Sequence, residues 1–480
     1  MLKARFIIAA LAFPLLAASA MAAGTKDDFV GALDGVIRER CINHEKIGVR
    51  VVEIPSGETL YDKNGSSALS PASVMKLVTT ATALHYLGVN YKFKTDVYYT
   101  GPREGGVVKG DIVIRGGGDP KLTSEAVWLI AEEVRRQGIT DVTGDLVLDV
   151  SFFDDHDSPP ARGGKRGQRP FDALLGALSI NFNTVAVHVY PGLKSGDPVI
   201  ADVEPMSPYF KIINDGLTRH GGHPVAAFRV NGEDTVTIRI TGAMRPEDAG
   251  GVIHMNIDDP FRFAGETFRA YLKRAGVNIA GVIKKGLVPQ GAKLVYTRQS
   301  EPLSMILRDL NRFSNNFVAE QIVKTVAAEV SGTPGTHENG LSLAMKFLGE
   351  SGVDTTGVVL HDGSGLSKDN RLTAKTLSGL LVAMSRRFDI GPDFIASLGI
   401  MGVDGTVRKR LKTSPAKSLA RAKTGTLNRV TALAGYVSGQ DGKLYGFSIL
   451  QNDSGCPYRG SHKIEDRIVT TVHLLAGKKR

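Results

Sequence analysis

Three short motifs occur in one order along this 480-residue chain. They are Ser73-Val74-Met75-Lys76, Ser314-Asn315-Asn316 and Lys423-Thr424-Gly425. A lysine close to a serine can take the proton that the weakly nucleophilic hydroxyl must lose before it attacks a carbonyl. A second serine with an asparagine, and a second lysine beside threonine and glycine, complete a set that supports serine acyl transfer. The motifs therefore predict a serine nucleophile that is activated by lysine.

Ser73 and Lys76 are the predicted nucleophile and base. Ser70 and Pro71 precede them and are residue types that favour the start of a helix, which places Ser73 in the first turn. Backbone N–H groups of a first turn lack partners within the helix, so the N–H of Ser73 is suited to stabilise an oxyanion. Lys76 would lie on the same helix face and, once desolvated, would act as the base.

The second and third motifs would bind the substrate and move protons. Ser314 is expected to relay a proton to the leaving group, and Asn316 to hold a substrate amide. Lys423 would bind a substrate carboxylate. The segment Thr424-Gly425-Thr426 is the predicted substrate-binding edge, because glycine lets a substrate backbone approach and the last threonine would give a second oxyanion N–H. This chemistry calls for no metal and no cofactor.

Two of the motifs have competitors elsewhere in the chain. Ser414-Pro415-Ala416-Lys417 also has serine and lysine at this spacing, but it lies in a polar, proline-containing segment, whereas Ser73 begins an apolar helix. Ser179-Ile180-Asn181 resembles the second motif but precedes a strand-like segment, whereas Ser314 lies between two predicted helices. A single match is weak evidence, so the assignment depends on order and context.

Strands are predicted at both ends of the chain, with helices between them. The predicted helices cover residues 28–40, 317–330, 342–348, 374–384 and 463–475, and the predicted strands cover 47–54, 59–61, 430–437 and 444–451. This order predicts one sheet that both chain ends complete. Cys41 and Cys456 are the two cysteines, and the sequence leaves open whether they form a disulfide or stay separate thiols.

The segment between the first two motifs is too long for a simple connection and must fold by itself. It contains a weak repeat, in which Asp119-Pro120 and Asp259-Pro260 each open a predicted helix that a glycine and a strand follow. We predict a signal peptide at residues 1–23, a catalytic domain at 24–92 and 291–480, an inserted αβ domain at 93–190 and 255–290, and a nested β-rich domain at 191–254.

The N-terminus and the charge bear on location and partners. Lys3 and Arg5 precede an apolar run over residues 6–16 and then small residues, which is typical of a cleaved signal peptide and too short for a membrane span. We expect the mature protein in the periplasm. The formal net charge of +10 favours anionic envelope polymers and at most peripheral contact with a membrane. The basic residues are scattered, which argues against nucleic acid as a partner.

The motifs in their context resemble one family. Besides the three motifs, Asp362-Gly363-Ser364-Gly365-Leu366-Ser367 and residues 114–120, with their Gly-Gly-Asp-Pro end, resemble class C low-molecular-mass penicillin-binding proteins of the penicillin-binding protein 4 type. The resemblance covers essentially the whole mature chain. It implies a multidomain α/β fold: a transpeptidase-like αβ domain, with an antiparallel sheet flanked by helices, carries a large inserted αβ domain that hosts the nested β-rich domain.

The resemblance also implies an activity. Proteins of this family are D-alanyl-D-alanine carboxypeptidases and endopeptidases, which cleave peptidoglycan stem peptides and cross-links through an acyl-enzyme, and β-lactams would acylate Ser73. An acidic residue of the inserted domain can read the free amino end of the stem, and Asp172 is its nearest counterpart. Residues 162–169 are rich in glycine and arginine where the family is rich in aromatics, so an ordinary loop acid remains open. Lys368 is expected to help bind the stem.

Two other functions fit part of the pattern. A serine β-lactamase uses the same acylation residues but must also activate a water molecule, and no acid-bearing loop for that purpose follows Asn316. A non-catalytic envelope scaffold would use the inserted domains, but it would not need every reactive residue of the motifs. A metal hydrolase is disfavoured, because His220 and His223 have no third ligand in a suitable pattern.

Overall fold

The computed structural model describes residues 26–158, 167–231 and 236–476, so the predicted signal peptide lies outside the described residues. The helices are α1 Lys26–Ile37, α2 Lys76–Leu87, α3 Ser124–Arg136, α4 Pro260–Arg274, α5 Leu303–Phe313, α6 Asn316–Ser331, α7 His337–Glu350, α8 Ala374–Ser385, α9 Gly391–Ser397 and α10 Tyr458–Leu475. Within these ranges we find no helix with the length and hydropathy that a bilayer crossing requires.

The strands follow in chain order. They are β1 Ile47–Glu53, β2 Thr59–Lys63, β3 Lys94–Tyr99, β4 Arg103–Glu104, β5 Val107–Val108, β6 Ile112–Gly116, β7 Asp141–Val142, β8 Leu146–Asp149, β9 Thr184–Tyr190, β10 Ile200–Glu204, β11 Phe210–Asn214, β12 Leu217–Thr218, β13 Ala226–Asn231, β14 Val236–Thr241, β15 Ala243–Met244, β16 Gly251–Asn256, β17 Asn278–Ile279, β18 Ile283–Lys285, β19 Lys293–Gln299, β20 Gly399–Ile400, β21 Ala420–Leu427, β22 Val430–Ser438 and β23 Leu444–Asn452.

The two chain ends build one antiparallel sheet with the strand order β2-β1-β23-β22-β21-β20. β1 pairs with β23 along its whole length, from Ile47 opposite Gln451 to Glu53 opposite Tyr445. A disulfide between Cys41 and Cys456, with the Cα atoms 4.7 Å apart, joins the same ends. The predicted sheet is therefore confirmed, and the cysteines that the sequence left open are paired.

This sheet is buried on both faces, which makes it a rigid support. Along β22, Ala432, Ala434 and Tyr436 pack into the apolar core formed mainly with α2, α5, α6 and α8, while Leu433 and Val437 pack into the core formed with α1 and α10. This alternation follows from the period of two in a strand. The strand that carries the third motif, β21, lies beside β22, and its Ala420 and Ala422 pack into the core formed with α1 and α10.

The weak repeat in the inserted segment corresponds to a real structural repeat. α3 leads through Gly138 to β7 and β8, and α4 leads through Gly276 to β17 and β18. β7 pairs with β17 and β8 with β18, both in parallel. One helix start was predicted wrongly: α4 begins at Pro260 with Asp259 as its cap, but α3 begins only at Ser124.

Strand pairing moves three of the predicted domain limits. β9 pairs with both β10 and β16, so the nested sheet runs from Thr184 to Asn256 rather than over 191–254. β19 pairs with β3 of the inserted unit, so the chain does not return to the catalytic unit at residue 291 but after Gln299. The sequence missed these three limits because a limit placed at a turn cannot show which sheet the next strand joins. The remaining division into domains stays a prediction.

Candidate active site

Ser73 lies in a short 3₁₀ turn, Ala72–Met75, and α2 begins directly after it at Lys76. The expected cap is wrong: the side chain of Ser70 makes no capping bond, and its backbone exchanges two hydrogen bonds with the side chain of Asn452 in β23. Met75 is buried in the catalytic core on the far side of the turn. The turn that carries Ser73 is thus anchored to both the helix layer and the sheet.

Two glycines allow other chain segments to close on this turn. A Cβ on Gly425 of β21 would lie 2.6 Å from the carbonyl oxygen of Pro71. A Cβ on Gly365, whose φ is +77°, would overlap the carbonyl oxygen of Ala72. Gly425 was expected to admit the substrate backbone, which stays a prediction. The structure adds a packing reason for this glycine, because its missing side chain leaves room for the turn that carries Ser73.

Lys76 is completely buried and contacts three functional groups. Its Nζ lies 3.0 Å from Ser73 Oγ and donates to Asn316 Oδ1 at 2.7 Å and to the carbonyl oxygen of Ser364 at 2.6 Å. Burial lowers the pKa of the Lys76 amine to about 7, although the nearby carboxylates of Glu320 and Asp362 act in the opposite direction. A large part of the amine is therefore neutral near pH 7 and can accept a proton.

Lys423 is the second buried cation of the site. Its Nζ donates to Ser314 Oγ at 2.8 Å and to the carbonyl oxygen of Thr424 at 2.8 Å. Burial and the charge of Lys76 hold the pKa of Lys423 well below its usual range. An anion beside this amine would compensate the desolvated charge, which makes the position suitable for a carboxylate.

The second motif forms the turn between α5 and α6. Ser314 ends α5 in the left-handed region with a φ of +59°, and Asn315 caps α6 by accepting from the N–H of Val318. Asn316 is the first residue of α6 and faces Lys76. This sharp turn, rather than an extended loop, brings Ser314 to Lys423 and Asn316 to Lys76.

Two residues to which the sequence assigned no role, Glu320 and His337, lie behind Lys76. Glu320, one turn after Asn316 on α6, is buried and accepts from the backbone N–H groups of Gly363 and Ser364 at 3.0 and 2.8 Å. His337 Nε2 lies 3.3 Å from Glu320 Oε2. Burial alone would raise the pKa of Glu320, but His337 and the hydrogen bonds from Ser364 and Gly363 hold it below its usual range. An acid within the otherwise apolar start of α6 was the available signal.

Asp362 shapes the same loop. Its carboxylate accepts from the N–H groups of Gly365 and Ser367, each at 2.6 Å, and from the side chain of Asn370 at 3.0 Å. Burial raises the pKa of Asp362, and the neighbouring Glu320 adds to that rise. Asp362 belongs to one of the segments that resemble the family. Nothing in the sequence indicated that it organises the loop that packs against the turn of Ser73.

The remaining predicted residues lie at the edge of the site or away from it. The hydroxyls of Thr424 and Thr426 lie 2.9 Å from Thr406 Oγ1 and 3.4 Å from the Tyr458 hydroxyl, respectively. Lys368 is exposed. Asp172 belongs to the 3₁₀ turn Pro170–Asp172 and is only 5% exposed, so it is not the solvated loop acid that the sequence left open.

A cavity of about 360 Å³ connects the second motif with the inserted unit. Its lining includes Pro170, Phe171, Phe182, His254, Asn315 and Phe317. The competing motifs have structural contacts elsewhere: Ser414 pairs with Thr470 of α10, and Ser179 bonds to the carbonyl oxygen of Gly176. Among the described residues, no three His, Cys, Asp or Glu side chains are grouped as a metal site would need.

Sequence comparisons with known proteins match most of this chain. The sequence profile of the D-Ala-D-Ala carboxypeptidase 3 (S13) family matches residues 29–473. A D-alanyl-D-alanine carboxypeptidase from Actinomadura sp. (strain R39) is 34% identical over 461 residues, which cover 93% of this chain and 84% of that protein. A D-alanyl-D-alanine carboxypeptidase from Haemophilus influenzae is 25% identical over 403 residues, covering 84% of each chain.

A solved structure supports the fold. Penicillin-binding protein 4 from Haemophilus influenzae superposes with a TM-score of 0.76 at 23% identity, covering 92% of this chain and 97% of that chain, and it has also been solved with a β-lactam. The expected α/β fold is thereby confirmed. With a family profile that spans nearly the whole described chain, the protein belongs to the D-Ala-D-Ala carboxypeptidase 3 (S13) family.

Proposed function

We propose that Ser73 is the nucleophile of this serine D-Ala-D-Ala carboxypeptidase and that Lys76 is its general base. The observation that carries the proposal is the pair of atoms Ser73 Oγ and Lys76 Nζ, which lie 3.0 Å apart with the amine fully buried. A base whose pKa is near the working pH is the most effective proton acceptor, and the pKa of Lys76 is about 7.

Acylation then proceeds in two steps. Ser73 Oγ bonds to the carbonyl carbon of the penultimate D-Ala while Lys76 Nζ takes the hydroxyl proton. The N–H groups of Ser73 and Thr426 stabilise the oxyanion. The C–N bond to the terminal D-Ala breaks, and the leaving amine takes up a proton through the hydroxyl of Ser314, which lies 2.8 Å from Lys423. The product is an ester between Ser73 and the shortened stem peptide.

Substrate is held along the edge of β21. β20 pairs only with Arg421 and Ala422, so the edge from Lys423 onward has no strand partner among the described residues. An extended peptide can add to such an edge by backbone hydrogen bonds. Lys423 binds the terminal carboxylate, Asn316 the peptide amide, and Thr424-Gly425-Thr426 the backbone.

Water completes the cycle by attacking the ester carbonyl, which releases the stem and restores Ser73. With a β-lactam, the bond that breaks lies within a ring, so the leaving amine stays attached and blocks the path of water. Acylation of Ser73 by β-lactams is then long-lived. The same acylation chemistry opens a D-Ala to diaminopimelate cross-link, with the neighbouring stem as the leaving amine.

Location and side-chain recognition belong to the same proposal. Residues 1–23 direct export to the periplasm, where the cell wall supplies the substrate. The cavity between the second motif and the inserted unit receives the stem side chain, with Phe171 as a contact and the buried Asp172 as a nearby negative charge. Lys368, which is exposed and follows Asp362 in the chain, helps to bind the stem.

Intact-mass spectrometry with benzylpenicillin tests the proposal. The unsubstituted protein should gain one stable adduct, Ser73→Ala should gain none, and Ser414→Ala, which removes the serine of the competing motif, should react like the unsubstituted protein. Release of D-Ala from a soluble pentapeptide should follow the same pattern. A rapidly lost adduct with drug turnover would favour a β-lactamase, and no adduct on the folded protein would overturn the assignment of Ser73.

A further inference from the structure

A cleft of about 660 Å³ lies where the inserted unit joins the catalytic unit. Its walls include the outgoing chain after α2, the end of β19 at Gln299 and the C-terminal end of α6. The two crossing chains are tied together, since Phe93 N donates to Ser300 Oγ at 3.0 Å and Ser300 N donates to the carbonyl oxygen of Phe93 at 2.9 Å. We call it the junction cleft; its volume is in the range of ligand sites, which favour domain junctions.

Three cations of the junction cleft are exposed. They are Lys92, Lys94 and Arg115, and none of them has a carboxylate within 4.0 Å among the described residues. The lining also contains the carboxylates of Asp96 and Glu329. These are already bonded to hydroxyls, since Thr297 Oγ1 donates to Asp96 and the Tyr91 hydroxyl donates to Glu329, each at 2.7 Å. With three cations and two carboxylates, the lining has a formal net charge of +1.

We propose that the junction cleft binds a second segment of the peptidoglycan substrate, namely a stem peptide with free carboxylates attached to its sugar. The cations match the carboxylates of such a stem, and the two acids match its amine. The rings of Tyr91 and Phe152 offer apolar faces to a sugar. This inference rests on the proposed function, because only a polymeric substrate carries several stems on one strand.

Its position relative to the active site supports this ligand. α6 begins at Asn316 beside Lys76 and ends at the junction cleft, so about 20 Å separates the two sites at 1.5 Å per residue. A polymer can occupy both at once, whereas a soluble pentapeptide cannot. Binding at the cleft would raise the local concentration of stems near Ser73 without changing the chemistry there.

The test compares polymeric and small substrates. The triple variant Lys92→Ala/Lys94→Ala/Arg115→Ala should bind and digest isolated sacculi about tenfold less well at low salt. Its kcat/KM on a soluble pentapeptide and its acylation by benzylpenicillin should stay within twofold, which also shows that it is folded. The control Lys211→Ala/Lys273→Ala/Arg38→Ala removes the same charges from exposed positions outside the cleft and should leave sacculus digestion unchanged.

Each outcome decides the inference. Unchanged digestion of sacculi by the cleft variant would overturn it, and an equal loss in the control triple would reduce the effect to overall charge. A loss on the soluble pentapeptide as well would mean that the cleft supports the fold of the active site instead. If the unsubstituted protein fails to release D-Ala from the pentapeptide, the proposed function fails first, which separates the two results.

A second, independent inference concerns Glu320. We infer that Glu320 is a positioning residue that fixes the turn at Gly363 and Ser364, and through the carbonyl of Ser364 the amine of Lys76. Its two carboxylate oxygens accept one N–H each, and the carbonyl of the same Ser364 lies 2.6 Å from Lys76 Nζ. The charged groups around Lys76 are Glu320 from α6, Asp362 from the loop and Lys423 from β21, with His337 of α7 behind Glu320.

Glu320→Gln tests this role. An amide has one acceptor oxygen where the turn presents two N–H donors, so the turn and the amine should shift, and benzylpenicillin acylation should slow by about 10- to 100-fold. Loss of the negative charge should also move the acidic limb of the pH–rate profile to lower pH, because Glu320 favours protonated Lys76. Glu338→Gln, on an exposed acid of α7, should change neither. A normal rate, or a slower rate with an unmoved profile, would overturn the inference.

Discussion

Two parts of the active site differ in burial. We call the first the floor, which is formed by Ser73, Lys76, Ser314, Asn316 and Lys423. The second is the edge, which Phe171 of the inserted segment lines. On the floor, Lys76 makes three hydrogen bonds within a completely buried setting. At the edge, Phe171 is 38% exposed and belongs to a single 3₁₀ turn. The comparison teaches that the amine assigned to chemistry is fully buried and held by three hydrogen bonds, whereas the ring assigned to recognition of the stem is partly open to solvent.

This difference has a physical reason. A base must be desolvated and held within a few tenths of an ångström, and buried contacts from α6, β21 and the loop of Asp362 meet that demand at Lys76. A contact with a variable side chain requires only shape and apolar area. The predictions below test this contrast, from the largest expected effect to the smallest.

Removing the buried amine should have the largest effect. Lys76→Ala leaves Ser73 without a base, and acylation by benzylpenicillin should fall by about 10³-fold. In the unsubstituted protein, the neutral amine is populated above the pKa of about 7, so the acylation rate should rise with pH through that value and then level off. Stopped-flow acylation from pH 5 to 9 measures both effects. Lys417→Ala, in the competing motif, should behave like the unsubstituted protein.

The packing of the nucleophile turn should give the next largest effect. Gly365→Ala places a methyl group on the carbonyl oxygen of Ala72, and we expect the free energy of unfolding to fall by about 3 kcal/mol together with the acylation rate. Gly442→Ala has a nearly equal φ, +79° against +77°, but meets no atom within 4 Å.

Urea unfolding of the two glycine variants separates strain from overlap. Gly442→Ala should lose only about 1 kcal/mol from its left-handed backbone and keep full acylation. Equal losses in both variants would mean that backbone strain alone matters, and that the turn of Ser73 is not held by close approach.

The sequence was sufficient for the floor wherever local pattern and motif order agree. The apolar periods of α6 and β22 predicted their type and nearly their ends, and three motifs in order singled out Ser73, Ser314 and Lys423, which the structure brings together. Competing motifs were set aside by context alone. Context can separate such motifs because a motif at the start of a buried helix or strand is positioned by packing that the same pattern reveals.

Contacts that join distant segments through the backbone could not be predicted. Glu320 holds the loop of Gly363, and Gly365 packs on Ala72, yet no side-chain pattern records a bond to a backbone N–H in another segment. The start of α3 and the sheet of β19 were missed for a related reason. Asp119 looked like a helix cap but pairs with Arg298 of β19, a partner far away in sequence.

At the edge of the site, a smaller effect is expected. Phe171→Ala removes an exposed ring that lines the cavity beside Asn315 and Phe317, and kcat/KM for a soluble pentapeptide should fall about threefold to tenfold, chiefly through KM. Benzylpenicillin, which lacks the stem side chain, should acylate at the normal rate. Phe388→Ala, at a ring that is 93% exposed elsewhere, is the control. A slower acylation by benzylpenicillin would mean that Phe171 also supports the chemistry, which would contradict the division between floor and edge.

The smallest effect should come from Asp172. Since this residue is only 5% exposed, we expect it to act on a stem amine through its field and not by direct contact. Asp172→Asn should therefore reduce the preference for a free amino end over an acetylated one by about twofold, measured as the ratio of kcat/KM for the two pentapeptides. A tenfold loss would mean that the carboxylate reaches the amine directly, and that this edge of the site rearranges when substrate binds.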